Sequence, residues 1–147
     1  MKVILFVVTL AVWLSACCPE RQEPSPPEDA IGWKDFQEGT TMYRGRFLLK
    51  KGQSTDNGKV EVKVLELIPP GCASEAASFE RLARVRLQFT SVSDHKVLCS
   101  EVYGENSGGY LTLDCPAMPQ DFGISGIKVS AINLKDRWVF FSLDGYY

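Results

Sequence analysis

Apolar and polar residues alternate along several short stretches of this chain. A period of two is typical of β-strands that bury one face and expose the other. The clearest examples lie at 43–49, 60–64 and 83–89 and carry Val, Leu, Phe or Tyr at every second position, except for Gly45 and Ala83. Weaker patterns predict further strands at 96–103, 109–115, 124–133 and 137–143.

Turn-forming residues separate these stretches, as in Asp56-Asn57-Gly58 and Pro69-Pro70-Gly71. Short strands with turns between them predict a mainly β fold, an antiparallel immunoglobulin-like sandwich of about seven strands. A small β-barrel is the alternative fold. Alanine and phenylalanine recur at helical spacing near 73–80, where we expect one short helix.

The last predicted strand differs from the others because Trp138, Phe140 and Phe141 make it apolar at both parities. A central strand that is buried on both faces explains this pattern. An apolar groove that binds a lipid or a partner is the alternative.

The amino-terminal residues predict an export signal. One Lys precedes about a dozen apolar residues, and small residues follow at Ser15 and Ala16. The apolar run is shorter than the roughly 20 residues that a membrane-spanning helix needs. We expect residues 1–16 to be a cleaved signal peptide.

The end of this signal, Leu14-Ser15-Ala16-Cys17, resembles the lipobox of bacterial lipoproteins. The resemblance implies cleavage between Ala16 and Cys17 and acylation of the Cys17 sulfur and the new amino group. An ordinary signal with a chance cysteine is the alternative. Cys18 stands where many enteric inner-membrane lipoproteins carry Asp, so the resemblance favours the outer membrane if the host has one.

A proline-rich segment follows the lipobox. Residues 19–30 include four prolines and five charged residues and one apolar side chain, so they predict a semi-extended tether of about 35 Å. We therefore expect a lipidated Cys and tether at 17–30 and one β-sandwich domain at 31–147.

A second resemblance supports the sandwich. Residues 85–98, from Val85 through Ser93-Asp94-His95 to Leu98, are similar to the strand, turn and strand of secreted bacterial immunoglobulin-like domains. The rival calyx barrel of bacterial lipocalin lipoproteins opens with Gly-x-Trp, whereas Gly32 and Trp33 are adjacent here.

The five cysteines predict one disulfide in an oxidising compartment. If 96–103 and 109–115 form a hairpin with residue 107 at its midpoint, Cys99 lies opposite Cys115, and both share an apolar face with Leu111 and Leu113. Cys72 has three open fates: a bond to Cys18, a bond to Cys99 or Cys115, or a reduced thiol.

Catalytic chemistry has little support in the sequence. His95 is the single histidine, and we expect a solvated turn residue there, although an arrangement with Asp94 and a serine remains the enzyme alternative. The cysteines lack Cys-x-x-Cys spacing, so the sequence predicts no metal site and no cofactor. Glu101 and Glu105, beside the predicted hairpin turn, are expected to stay solvated.

The balance of charged side chains excludes one class of partner. After removal of the signal, 15 basic and 18 acidic side chains remain, a balance that argues against nucleic acid. We expect the arginines of the predicted strands to lie on an ordinary solvated face, and a basic stripe on one sheet face is the alternative: Arg44, Arg46, Arg81, Arg84 and Arg86.

These patterns together predict a non-catalytic binding or structural module of the cell envelope. We expect Cys17 to anchor it to the membrane and an unidentified envelope protein or small ligand to be its partner. A lipid-binding barrel and an envelope hydrolase are the alternatives.

Overall fold

The computed structural model describes residues 20–30, 32–35, 43–72 and 78–145. Nine strands lie within these ranges, and all pairings between them are antiparallel. In chain order they are β1 (Gly32–Asp35), β2 (Tyr43–Lys50), β3 (Ser54–Asp56), β4 (Val60–Ile68), β5 (Arg84–Ser91), β6 (Val97–Gly104), β7 (Leu111–Thr112), β8 (Gly126–Asn133) and β9 (Trp138–Asp144).

The strands form two sheets, which confirms the predicted sandwich. Sheet A has the order β1-β2-β9-β8-β7, and sheet B has the order β3-β4-β5-β6. The chain crosses from sheet A to sheet B after β2 and returns after β6. The described strands form two separate sheets and not the closed barrel of the alternative prediction.

All seven predicted strands are present, but one is much shorter than predicted. The stretch 109–115 contributes only Leu111–Thr112, and β3 lies where the sequence predicted a turn. Two short 3₁₀ segments, Ser78–Arg81 and Gln120–Phe122, are the helical elements of the described part. Residues 73–77 of the predicted helix lie outside the described residues.

The core lies between the two sheets, and in β4 and β5 it consists of the side chains that alternation assigned to the inner face. Strands β4, β5, β8 and β9 supply residues that are at most 1% exposed. They include Val62 and Val64 of β4, Leu87 and Phe89 of β5, Ile127 and Val129 of β8, and Val139, Phe141 and Leu143 of β9. Burial of this apolar surface is the main source of stability for such a fold.

Strand β9 occupies the centre of sheet A, between β2 and β8. Every one of its residues is buried, so the predicted central strand with two buried faces is confirmed. Phe141 faces the core, where its ring centre lies 5.4 Å from that of Phe47. Trp138 and Phe140 have the opposite parity and lie on the outer face.

Candidate functional site

The predicted cleavage and lipidation positions, Ala16 and Cys17, lie outside the described residues. The described chain begins at Glu20, three residues after Cys17. The geometry nearest to the predicted anchor is therefore the contact between the segment 20–30 and the domain.

This contact begins at an irregularity in β8. The pairing of β8 with β9 shifts register between Val129 and Ala131, so Ser130 is an extra residue of the kind that makes a β-bulge. Strand β7 pairs with β8 only at Gly126 and Ile127. The outer edge of β8 beyond these residues needs other partners for its backbone groups.

The residues directly after β6 supply two of these partners. The Asn106 amide donates to the Val129 carbonyl at 2.8 Å, and the Ile132 amide donates to Glu105 Oε1 at 2.8 Å. The Glu105 amide itself donates to the Ala83 carbonyl. Residues 105 and 106 therefore link an end of sheet B to the free edge of sheet A.

Arg21 completes this arrangement. Its Nη1 donates to Glu105 Oε2 at 3.0 Å, its Nη2 forms an ion pair with Glu105 Oε1, and Nη2 also donates to the Ile132 carbonyl at 2.7 Å. Both side chains are mostly buried, at 25% and 21% exposed. The hydrogen bond to Glu105 raises the pKa of Arg21, and desolvation of the guanidinium opposes that shift. Because the guanidinium and the carboxylate form two parallel, charge-assisted hydrogen bonds, their relative orientation and their separation are both fixed.

The next residues continue along the same edge and then cross the sheet. The Leu134 amide donates to Glu23 at 2.9 Å, and Asn133 Nδ2 donates to the Pro24 carbonyl at 3.0 Å. Farther along, Asp29 forms an ion pair with Arg46 of β2. Because β9 lies between β8 and β2, the segment crosses the outer face of sheet A. The predicted tether is thus in contact with the domain from Arg21 to Asp29.

The segment also borders an open groove of about 410 Å³. Its walls come from the amino-terminal segment, from the residues just before β5 and from the loop after β6. They include Arg21, Pro24, Leu82, Glu105 and Asn106. Leu82 therefore lies beside the site where the amino-terminal segment is bound.

This site was not predicted from the sequence, because Arg21 and Glu105 are far apart in the chain and each was interpreted alone. Glu105 was expected to stay solvated beside a hairpin turn, but that expectation is wrong, since the carboxylate is mostly buried and paired with Arg21. Arg21 lies in a proline-rich segment that has almost no apolar residues to predict packing.

The predicted disulfide between Cys99 and Cys115 is present, with the two Cα atoms 5.6 Å apart. The predicted hairpin around it is wrong. Strand β6 pairs with β5, and β7 pairs with β8. The stretch 104–109 closes no hairpin because the bonds of Glu105 and Asn106 carry the chain across to sheet A. The disulfide therefore joins strand β6 of sheet B to the loop that follows β7 of sheet A.

The predicted apolar layer around this disulfide is partly correct. Leu113 and Cys115 are buried, whereas Leu111 is 49% exposed. Residues from this layer also line a cavity of about 350 Å³ near the disulfide, together with Met118, Pro119 and Ile124.

Cys72 is disulfide-bonded as well. Because Cys99 and Cys115 are bonded to each other, the alternatives of a reduced Cys72 or a bond to either of them are wrong. Its partner lies outside the described residues, where the chain has Cys17 and Cys18. The bond to Cys18 stays a prediction.

His95 lies in an exposed turn, as predicted, with a positive φ of 57°. The adjacent Asp94 closes that turn. Hydrogen bonds from the Ser91 side chain and the Lys96 backbone amide hold the pKa of Asp94 below its usual value. Among the residues that the structure describes, no group of three or more His, Cys, Asp or Glu side chains is arranged to hold a metal ion.

The arginines do not form the alternative basic stripe. Arg44 and Arg46 belong to sheet A, while Arg84 and Arg86 belong to sheet B, so the two pairs lie on different sheets of the sandwich. Arg46 is paired with Asp29 and Arg86 with Glu66. These contacts are those of ordinary solvated faces.

Comparison of the chain with known proteins gives no match to a family model, to a curated protein or to a solved structure. In the part of the chain that the structure describes, no helix has the length and apolar character to cross a membrane.

Proposed function

We propose that this chain is a lipid-anchored lipoprotein of the bacterial cell envelope and that its β-sandwich is a non-catalytic binding or structural module. The observation that carries the proposal is the sequence Leu14-Ser15-Ala16-Cys17 at the end of an apolar signal. Acylated Cys17 carries two or three chains, which hold a protein on a membrane where one chain gives only marginal binding.

The packing of the domain supports the module over a ligand calyx. The inner faces of both sheets contribute to one cluster of buried apolar side chains, and Phe141, at 0% exposure, fills the interior that a calyx would leave open. A module of this kind acts through its surface, and its partner is an envelope protein or a small ligand. Cys18 at the position after the anchor favours the outer membrane.

Metabolic labelling with a fatty acid analogue tests the anchor. The wild-type protein takes up the label and sediments with membranes, whereas the Cys17→Ser variant loses the label and leaves the membrane fraction. The Cys18→Ser variant is the matched control, because it removes the neighbouring thiol and retains the label.

Two results contradict the anchor: an unlabelled wild-type protein, or a Cys17→Ser variant that remains labelled and membrane-bound. The calyx is tested separately by native mass spectrometry of the delipidated domain. A stoichiometric apolar ligand inside the domain would contradict the packed module.

A further inference from the structure

One end of the sandwich combines exposed apolar side chains with the site that binds the amino-terminal segment. The 3₁₀ segment Ser78–Arg81 precedes β5, and the Gly71 amide donates to the Glu80 carbonyl at 2.7 Å. This bond holds the residue before Cys72 against the same turn. Cys72, Phe79 and Leu82 therefore belong to one end of the molecule.

The turn formed by residues 78–82 packs against Gly104, which ends β6 and directly precedes Glu105. A Cβ atom at residue 104 would lie 3.0 Å from the Phe79 ring and 3.2 Å from Leu82 Cδ1, so both side chains pack directly on the glycine. The following residue, Glu105, binds Arg21. The turn and the bound amino-terminal segment are consequently neighbours.

Phe79 and Leu82 remain 44% and 38% exposed despite this packing. The Arg84 guanidinium lies over the Phe79 ring, 5.7 Å from its centre. We call Phe79, Leu82 and Arg84 the Phe79 surface. This combination is favourable at the boundary between lipid headgroups and acyl chains. The ring and the aliphatic groups contact the chains, while the guanidinium stays among the headgroups.

The position of Arg21 limits how far this surface can lie from an anchor at Cys17. Four residue steps separate Cys17 from Arg21, and an extended chain covers at most about 14 Å over four residues. Because Glu105 binds Arg21, the free connection between Cys17 and the domain is less than half of the roughly 35 Å tether that the sequence predicted.

The disulfide of Cys72 points to the same end. Its partner lies outside the described residues, and a bond to Cys18 is the open prediction. If the Cys17 sulfur carries lipid, Cys18 is the partner, and the residue next to the anchor is tied directly to the end that bears Phe79.

We propose that the Phe79 surface rests on the lipid surface that holds Cys17, so that the domain lies on the membrane with a fixed orientation. This inference rests on the proposed lipid anchor. The occupant is lipid because the anchor and its short connection bring the membrane to this end.

Quenching of tryptophan fluorescence by brominated lipids tests the orientation. The full acylated protein is reconstituted in vesicles of phosphatidylethanolamine and phosphatidylglycerol with bromine on the acyl chains. The Phe79→Trp variant is the reporter, and Leu82→Trp is a second reporter in case the first does not fold. The wild-type signal, from Trp33 and Trp138 of the mature chain, is subtracted.

The matched control is Val97→Trp. Val97 is 51% exposed and begins β6, which places it about 23 Å along the strand from Gly104. The proposal expects loss of emission for both reporters and unchanged emission for the control.

Equal quenching at the two ends, or no quenching of either reporter, would overturn the proposed orientation. Unquenched reporters that are shielded from aqueous iodide would indicate a protein partner or a second copy on this surface and would also overturn it. Each protein is checked for the fatty acid label. A labelled protein with unquenched reporters refutes only the orientation, whereas an unlabelled protein refutes the anchor.

Discussion

The central strands of the two sheets have different environments. Strand β5 of sheet B alternates between buried and half-buried residues over most of its length. Strand β9 of sheet A is buried at every position. Both strands have two neighbours and both contribute to the core, so position within a sheet does not explain the difference.

The difference comes from what covers the outer faces. The segment 20–30 crosses the outer face of sheet A, with contacts at Asn133 and Arg46. The outer face of sheet B carries polar side chains such as Arg86, which is paired with the exposed Glu66. A polar, proline-rich segment can therefore act as part of a domain when backbone groups and charges at a sheet edge receive it.

Truncation of the two neighbouring phenylalanines of β9 gives the largest expected effect. Phe141→Ala opens a cavity between the sheets and should lower the free energy of unfolding by about 3–5 kcal/mol. Phe140→Ala should cost less, because Phe140 lies on the outer face of sheet A and is 9% exposed, whereas Phe141 is 0% exposed. Urea unfolding of both variants measures the difference, and an equal or larger loss for Phe140→Ala would contradict it.

Removal of the disulfide between Cys99 and Cys115 comes next. The loop between Cys99 and Cys115 spans 16 residues, so the double variant Cys99→Ala/Cys115→Ala should lose about 3 kcal/mol of unfolding free energy. Urea unfolding measures it. A loss well below 1 kcal/mol would mean that packing alone holds β6 to the loop after β7.

These two regions also show what the sequence could and could not predict. Alternation defined the inner faces of β4 and β5, and the continuous apolar run of β9 indicated two buried faces. The cysteine pair was correct although the hairpin was not, because a midpoint argument cannot distinguish a bond across a hairpin from one between a strand and a distant loop. The bulge at Ser130 leaves no clear trace in the pattern, so the free edge of β8 and its partners Arg21 and Glu105 were not predictable.

The ion pair at that edge should have an intermediate effect. Glu105→Gln keeps the size of the side chain but removes the charge that binds Arg21 and weakens the acceptor for the Ile132 amide. We expect a loss of about 1–3 kcal/mol, together with faster hydrogen exchange at Ile132.

A double-mutant cycle with Arg21→Ala and Glu105→Gln separates the pair from other effects of either change. The structure predicts a coupling energy of about 0.5–3 kcal/mol. A coupling energy near zero would mean that the amino-terminal segment contributes nothing to this edge, and the contrast between the two sheets would then need another cause.

The smallest expected effect belongs to the corresponding ion pair on the bare face of sheet B. Arg86 Nε lies 3.5 Å from Glu66 Oε2, and the two side chains are 41% and 53% exposed. Water competes for both groups and holding two long side chains together costs entropy, so the cycle with Arg86→Ala and Glu66→Ala should give a coupling of about 0.2–1 kcal/mol. Added salt should abolish that coupling, because screening acts on solvent-exposed charges. The Arg21–Glu105 coupling should persist under the same conditions, since its hydrogen bonds are mostly buried. If both couplings vanish together with salt, the amino-terminal segment is held no more firmly than a surface ion pair, and the two sheets differ in coverage but not in the strength with which they are covered.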